Sequence, residues 1–295
     1  MTTVILGCGY VGLELGRQLK GDERVIGVRR SEEGIDAIES AGFEGVQADI
    51  TDSAAFEAVP DAETVVFAAS SGGRDAEAAR KIYVEGQRAA LDQFANRTNP
   101  PERYVYTSST GVYGDHEGGW VDERTPLDPT TEKTEVLAEA ERVAIDGASQ
   151  RGIDGTVARL AGIYGPERYR LTRYIEGPVT EGYLNMIHRD DIAGGIAYLL
   201  REDVARSEVV LFVDDEPVSK WEFADWLAAE CGADEPPKQT KADRLESGDL
   251  SEAARRRILT SKRCRNDKLR GLGYEFRYPT FREGYRACVE AYKNN

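Results

Sequence analysis

The sequence predicts an α/β protein built on a doubly wound parallel sheet, followed by a smaller, mostly helical domain. Two observations carry that prediction. Short β-branched runs alternate with helical stretches through the first half of the chain, and the first run passes into its helix through a glycine-rich turn. At 295 residues, 40% of them hydrophobic and 31% charged, the chain is long enough for a sizeable core and has a globular composition.

The elements follow in order. "TTVIL" is a short β-branched strand, and "YVGLELGRQLKG" is the helix beyond the glycine turn. "RVIGVRR" reads as the second strand, "SEEGIDAIESAG" as a helix closed by glycine, "FEGVQADI" as the third strand and "ETVVFAAS" as the fourth. One long helix is expected over 75–96. The prolines at 100 and 101 then lead into a fifth strand, "RYVYTSS". Such alternation implies right-handed crossovers and a parallel sheet covered on both faces. "GTVARLAGIYGP" reads as a further strand ending in a turn, "HRDDIAGGIAYLL" as a helix with Asp190 and Asp191 at its positive end, and "SEVVLFVDD" as a late strand returning to the sheet. The expected division is 1–165 as the sheet domain, joined by 187–213. Residues 166–186 and 214–295 then form a cap over the carboxyl ends of the strands, where open α/β sheets bind ligands.

The turn "VILGCGYVG" sets Gly7, Gly9 and Gly12 in a G-x-G-x-x-G pattern between strand and helix. Gly7 permits the tight turn, Gly9 lets backbone approach a pyrophosphate, and Gly12 lets helix pack on strand. With Tyr10 and Val11 opening the helix, free amides and the helix dipole favour a phosphate there. The fold class is therefore a Rossmann-type doubly wound parallel sheet. An NAD site wants an acidic residue about twenty positions after the loop. Arg29 and Arg30 stand there instead. Two guanidiniums suit the 2′-phosphate of NADP(H), which is favoured over NAD(H); the alternative is a pair of solvated arginines. Asp49, next to Ile50 after the third strand, is placed to accept a bond from the adenine amino group or to cap a helix.

"YTSSTGVYG" closes the fifth strand, and "VVFAAS", "RLAGIYGP", "MIHRDDIA" and "DERTPLDP" fall around it in a familiar order. With the glycine turn, these residues resemble the extended short-chain dehydrogenase/reductases, the NAD-dependent epimerase/dehydratase family of sugar nucleotides. The resemblance runs from Thr2 to about Pro217. The carboxy-terminal "SKRCRN" and "LGYEFRYPTFREG" resemble an atypical branch described as nucleoside-diphosphate-sugar epimerases. The resemblance implies that Ser109 is the hydroxyl on the substrate oxygen, and that Ser108, Ala68 and Ala69 line the cofactor. It also implies a proton-donating tyrosine with a lysine four residues on.

That pair is missing. Aligned on Pro129, its places hold Thr130 and Thr134. The neighbouring registers hold Thr131 and Glu135, or Lys133 and Leu137. Further departures are Leu6 where the family's wider glycine pattern begins, Leu184 where epimerases often carry an arginine for the diphosphate, and Thr110-Gly111 in place of the dehydratases' Asp-Glu pair. A positioned general acid is typically worth ~10²–10⁴ in rate, or about 3–5 kcal/mol of barrier. Tyr113, one turn after Ser109, is the substitute carried forward, set against the family's use of it as packing beside the nicotinamide. Lys133, His188, Asp115 and His116 are further titratable neighbours. Two readings follow. One is an epimerase/dehydratase-type oxidoreductase with a non-standard proton relay, acting on a sugar nucleotide or another small carbonyl or hydroxyl substrate. The other is a non-catalytic NADP(H)-binding protein that senses redox state.

The net charge of −15 argues against nucleic acid or an anionic membrane as partner. Nine lysines against 29 arginines, with this excess of acid, fit a halophilic source or an acidic protein of a GC-rich genome. The apolar runs are too short to span a bilayer, and the strand-like start leaves no room for a signal peptide, so a cytoplasmic location is expected. Cys8, Cys231, Cys264 and Cys288 and the two histidines lack ligand spacing, and no metal is expected. A homodimer through the long helices would suit the fold.

Overall fold

In the computed structural model, which describes residues 1–72, 75–246, 248 and 250–294, β1 (Thr2–Leu6) forms the middle of a seven-stranded sheet. Its residues Val4, Ile5 and Leu6 are fully buried, because a central parallel strand has helices over both faces and cannot alternate polar with apolar. The sheet order is Val209–Phe212, Asp154–Leu160, β5 (Arg103–Ser109), β4 (Thr64–Phe67), β1, β2 (Arg24–Arg29), β3 (Glu44–Gln47). The register is parallel throughout β3-β2-β1-β4-β5 and on to Asp154–Leu160, with Ile5 facing Gly27 on one side and Val66 on the other. Strand order reverses between β1 and β4. In doubly wound sheets such a switch point opens a crevice at the carboxyl ends of the strands.

The helices of this sheet start where the sequence supplies caps. The helix α1 (Tyr10–Leu19) begins at Gly9, and α2 (Glu32–Ser40) is capped by Ser31, whose Oγ accepts from Gly34 N at 3.3 Å. The helix expected over 75–96 is interrupted. α3 (Ala76–Arg80) gives way to a wider π turn over Lys81–Gly86 before α4 (Gln87–Ala95). The physical reason is a buried side-chain amide: Gln87 Nε2 donates to the Tyr83 carbonyl at 2.5 Å, while the Tyr104 hydroxyl donates to Gln87 Oε1 at 3.2 Å. A side chain that enters the backbone ladder displaces its regular bonds. α5 (Glu132–Arg142) also ends in a π turn, Val143–Gly147. The run "GTVARLAGIYGP" also divides: Asp154–Leu160 stays in the sheet, and Gly162–Tyr164 pairs in parallel with Met186–His188.

The chain separates into two compact units: Met1–Val112 with Glu132–Leu160 and Ile192–Val210, and Tyr113–Thr131 with Ala161–Asp191 and Leu211–Asn295. The second unit has its own core. Phe223 and Leu227 of the helix Lys220–Cys231 meet Phe281 and Tyr285 of the helix Phe281–Lys293, together with Tyr164. Tyr164 stacks on Tyr285 with ring centroids 5.0 Å apart, and Phe223 meets Phe281 edge to face at 5.1 Å. Among the described residues no helix is long and apolar enough to cross a membrane, and no His/Cys/Asp/Glu cluster could hold a metal ion.

Candidate functional site

The glycine turn is built from backbone. Gly7 takes φ +76°, and its amide and that of Cys8 both donate to the Val28 carbonyl, at 3.1 and 3.0 Å. Ala69, in the segment leaving β4, lies directly over Gly7: a Cβ built on Gly7 would stand 2.5 Å from Ala69 N. Gly12 brings α1 onto β1, since a Cβ there would meet Ile5 Cγ2 at 2.9 Å. Gly9 caps α1 without a side chain, so none crosses the amides of Tyr10, Val11 and Gly12 from the cap position. Cys8 beneath the turn is fully buried, which pushes its thiol up to about 12 and leaves it inert.

Arg29 crosses this turn. Its Nη1 donates to the Cys8 carbonyl at 3.3 Å and stands where a Cβ on Gly9 would come within 2.9 Å, while its stem lies over Gly34. Arg30 is exposed beside it. Asp49 turns back on its own chain: Oδ1 accepts from Thr51 N at 2.9 Å and from Thr51 Oγ1 at 2.8 Å, and these bonds hold its carboxyl below the usual range. The following short helix is capped by Asp52 instead. Ile50 is buried, with its carbonyl against Gly86. Ala68 donates its amide to Leu6 at 2.9 Å. The glycine turn, Arg29 and the Ala68–Ala69 segment thus converge at the switch point, and a dinucleotide fits this cradle because its tightest positions exclude side chains.

At the end of β5 the two serines differ. Ser109 is half-buried, and its Oγ accepts from Gly111 N at 3.1 Å. The Thr134 methyl lies 3.6 Å from where a Cβ on Gly111 would stand, and in the register aligned on Pro129 this threonine occupies the place where the resemblance implies a lysine. Ser108 is buried, and its Oγ donates to Glu141 at 2.6 Å. Glu141 in turn accepts from Arg159 Nε at 2.9 Å and Nη2 at 2.6 Å. Nothing in the sequence marks this triad, whose members come from β5, α5 and the strand Asp154–Leu160.

In the second unit, Tyr113 is fully buried and donates its hydroxyl to the Asp122 carbonyl at 2.7 Å. Asp115 Oδ1 accepts from Ser261 N at 2.7 Å, and His116 donates its amide to the Ser261 carbonyl at 3.0 Å. This loop is therefore fastened to the 261–264 strand segment. A cavity of about 410 Å³ is lined by Asp115, Asp128, Thr130, Arg256 and Leu259, with Arg256 donating to the Thr130 carbonyl. Asp191 is buried and accepts from Tyr274 Oη at 2.9 Å, Arg277 N at 2.7 Å and Tyr278 N at 2.9 Å, so it anchors the carboxy-terminal segment.

His188 is 1% exposed and lies between the rings of Tyr164 and Tyr278, and its Nδ1 accepts from Asp190 N at 3.2 Å. Burial pushes it down to about 4, with Asp190 opposing and Arg189 and Arg277 adding to the fall. Its folded pKa lies below the unfolded value of about 6.5, so stability is lost as pH falls from 6.5 towards 4, by about 3 kcal/mol at most. Denaturant unfolding across that window is expected to show a steeper loss in the wild type than in His188→Gln. Equal slopes would show that His188 is not held neutral.

The chain is similar to known proteins in sequence and in structure. The description "NAD dependent epimerase/dehydratase family" matches residues 3–208. The protein YeeZ of Escherichia coli K12 is 28% identical over 287 residues, covering 93% of this chain and 95% of YeeZ. A solved structure of a functionally unknown conserved protein from Silicibacter pomeroyi is 29% identical, with TM-score 0.73 and 98% of each chain covered. A dTDP-glucose 4,6-dehydratase from Streptomyces venezuelae, solved with NAD bound, shares the fold at 20% identity and TM-score 0.79, covering 100% of this chain and 98% of that one.

Proposed function

The chain belongs to the NAD-dependent epimerase/dehydratase family, and from that premise we propose an oxidoreductase of this family that uses NADP(H) and a proton relay other than Tyr-x-x-x-Lys. The observation that carries the choice of NADP(H) is Arg29, whose guanidinium lies across the glycine turn with Arg30 exposed beside it. A 2′-phosphate at the end of β2 would meet two permanent cations there, whereas a 2′-hydroxyl would meet no acidic partner at these positions. Gly7, Gly9, Tyr10, Val11 and Gly12 would hold the pyrophosphate, Asp49 and Ile50 the adenine, and Ala68, Ala69 and Ser108 the remainder. The cofactor supplies or accepts hydride; Ser109 holds the substrate oxygen. Residues 166–186 and 214–295 would bind the substrate, of which a sugar nucleotide is one class.

Tyr113 fits the proton donor's place poorly, because its hydroxyl is committed to a backbone carbonyl. That same commitment, with Thr134 beside Ser109, favours the second reading of a non-catalytic NADP(H)-binding redox sensor.

Calorimetric titration tests the cofactor assignment. NADP(H) is expected to bind more tightly than NAD(H), and Arg29→Ala/Arg30→Ala to lose about 10²-fold or more for NADP(H) alone, since hydrogen bonds to charged groups are worth ~1.5–3 kcal/mol each. Equal affinity for both dinucleotides would sink the NADP(H) assignment, and no binding of either would sink both readings.

A further inference from the structure

We propose that Tyr83 is the proton-transfer residue of this site and that Lys133, acting through Ser71, is its positioning residue, the pair replacing Tyr-x-x-x-Lys from different helices. The proposal rests on the reading of the first unit as a nicotinamide-dinucleotide oxidoreductase. It identifies the relay which that reading left open.

The geometry is a directed chain. Lys133 Nζ donates to Ser71 Oγ at 3.4 Å, and Ser71 Oγ donates to Tyr83 Oη at 3.4 Å. The backbone amide of Ser71 donates to the same phenol oxygen at 3.2 Å. Both Ser71 donors point at Tyr83, so its oxygen serves as their acceptor. Lys133 lies on α5, one residue before Thr134. Ser71 lies on the segment that leaves β4 past Ala68 and Ala69, at the switch point where doubly wound sheets place their ligands. Tyr83 itself sits inside the π turn that breaks the long helix, and such turns recur at functional sites because they re-aim single side chains.

The electrostatics agree with the geometry. Burial to 8% exposure would raise the phenol, but the bonds from Ser71 and Ser70 and the charge of Lys133 outweigh it and hold Tyr83 below its usual range. Tyr104, Tyr106, Tyr164, Tyr174, Tyr274 and Tyr285 are all pushed the other way by burial. A phenol whose ionised form is favoured by its neighbours is suited to general acid–base work.

In the reducing direction the residues' share is one proton. The Tyr83 O–H bond breaks, an O–H bond forms on the substrate oxygen, and the phenolate is held by the Ser71 amide and by the charge of Lys133. A reduced dinucleotide bound in the site would supply the hydride that balances this proton. Lys133 returns a proton to Tyr83 through the Ser71 hydroxyl and takes one from solvent.

The test needs no substrate. Tyrosinate absorbance is titrated with pH in wild type, Tyr83→Phe, Lys133→Met and Lys133→Arg, each with NADP⁺ or NADPH, while calorimetry reports binding of both. The first ionising tyrosine of the wild type is expected to vanish in Tyr83→Phe, to titrate at higher pH in Lys133→Met and to return in Lys133→Arg. A bound oxidised nicotinamide would add a positive charge to the site, so the Tyr83 midpoint is expected to be lower with NADP⁺ than with NADPH by about one pH unit or more. A merely structural phenol would ignore the oxidation state of the cofactor, and midpoints equal in the two forms overturn the proposal. So does persistence of the early phenol in Tyr83→Phe, or its indifference to Lys133→Met. If neither NADP(H) nor NAD(H) binds the wild type, calorimetry shows that it is the cofactor reading that has failed, and the relay fails with it.

Discussion

Glu141→Ala is expected to destabilise the protein by about 3–5 kcal/mol, while Glu141→Leu with Arg159→Met is expected to restore most of that loss or all of it. Glu141 and Arg159 are each 4% exposed and meet through two short bonds at 2.9 and 2.6 Å, with Ser108 completing the carboxylate at 2.6 Å. Removing one partner leaves the other as a charge in an apolar interior without water to solvate it. Removing both leaves hydrophobic side chains of similar volume, and the desolvation cost of the pair disappears with its attraction. Urea unfolding of wild type, single and double variants decides the matter. A double variant as unstable as the single one would mean that the triad holds β5, α5 and the strand Asp154–Leu160 in place by shape, which apolar side chains cannot reproduce.

The triad also shows which kind of information the sequence hides. Its members stand 33 and 18 positions apart, each in a segment whose pattern reads as ordinary helix or strand. No local rule picks Glu141 from the other glutamates of α5. The parallel sheet was legible because each strand is a contiguous β-branched run, and the turn at Gly7 because three glycines at fixed spacing lie between strand and helix. The interrupted helix was not: its cause is Gln87, a polar residue that looks solvent-facing in sequence and is fully buried against Tyr104. Tyr83 is hidden in the same way, since a tyrosine in a helix reads as packing until a lysine and a serine from elsewhere are seen around its oxygen. In sequence Asp191 is a helix-end acid, whereas its three donors come from 83 or more residues away.

Gly7→Ala is expected to cost about 3–5 kcal/mol and with it the dinucleotide site, whereas Gly9→Ala is expected to cost under about 1 kcal/mol. The two glycines are two positions apart in one motif, yet their surroundings differ. Gly7 holds φ +76°, which an L side chain rarely adopts, and its Cβ would meet the backbone nitrogen of Ala69 at 2.5 Å and the Ala69 Cβ at 2.6 Å. Relief requires β1 and the segment after β4 to separate, and both are tied into the sheet. Ala69→Gly therefore rescues little, because the backbone atoms remain. Gly9 lies at φ −100°, open to any residue in that coordinate, and its Cβ would come close to Arg29 Nη1 at 2.9 Å, the far end of a flexible side chain, while the Gly7 carbonyl stays at an ordinary 3.8 Å. Gly9→Ala then probes Arg29 through the ratio of the two affinities, because any effect of the Cβ on the pyrophosphate falls on both dinucleotides alike. Unfolding should barely change, while displacement of the Arg29 guanidinium should erode the preference for NADP(H) over NAD(H). If Gly9→Ala leaves that preference intact, Arg29 does not carry it, and Arg30 alone would have to.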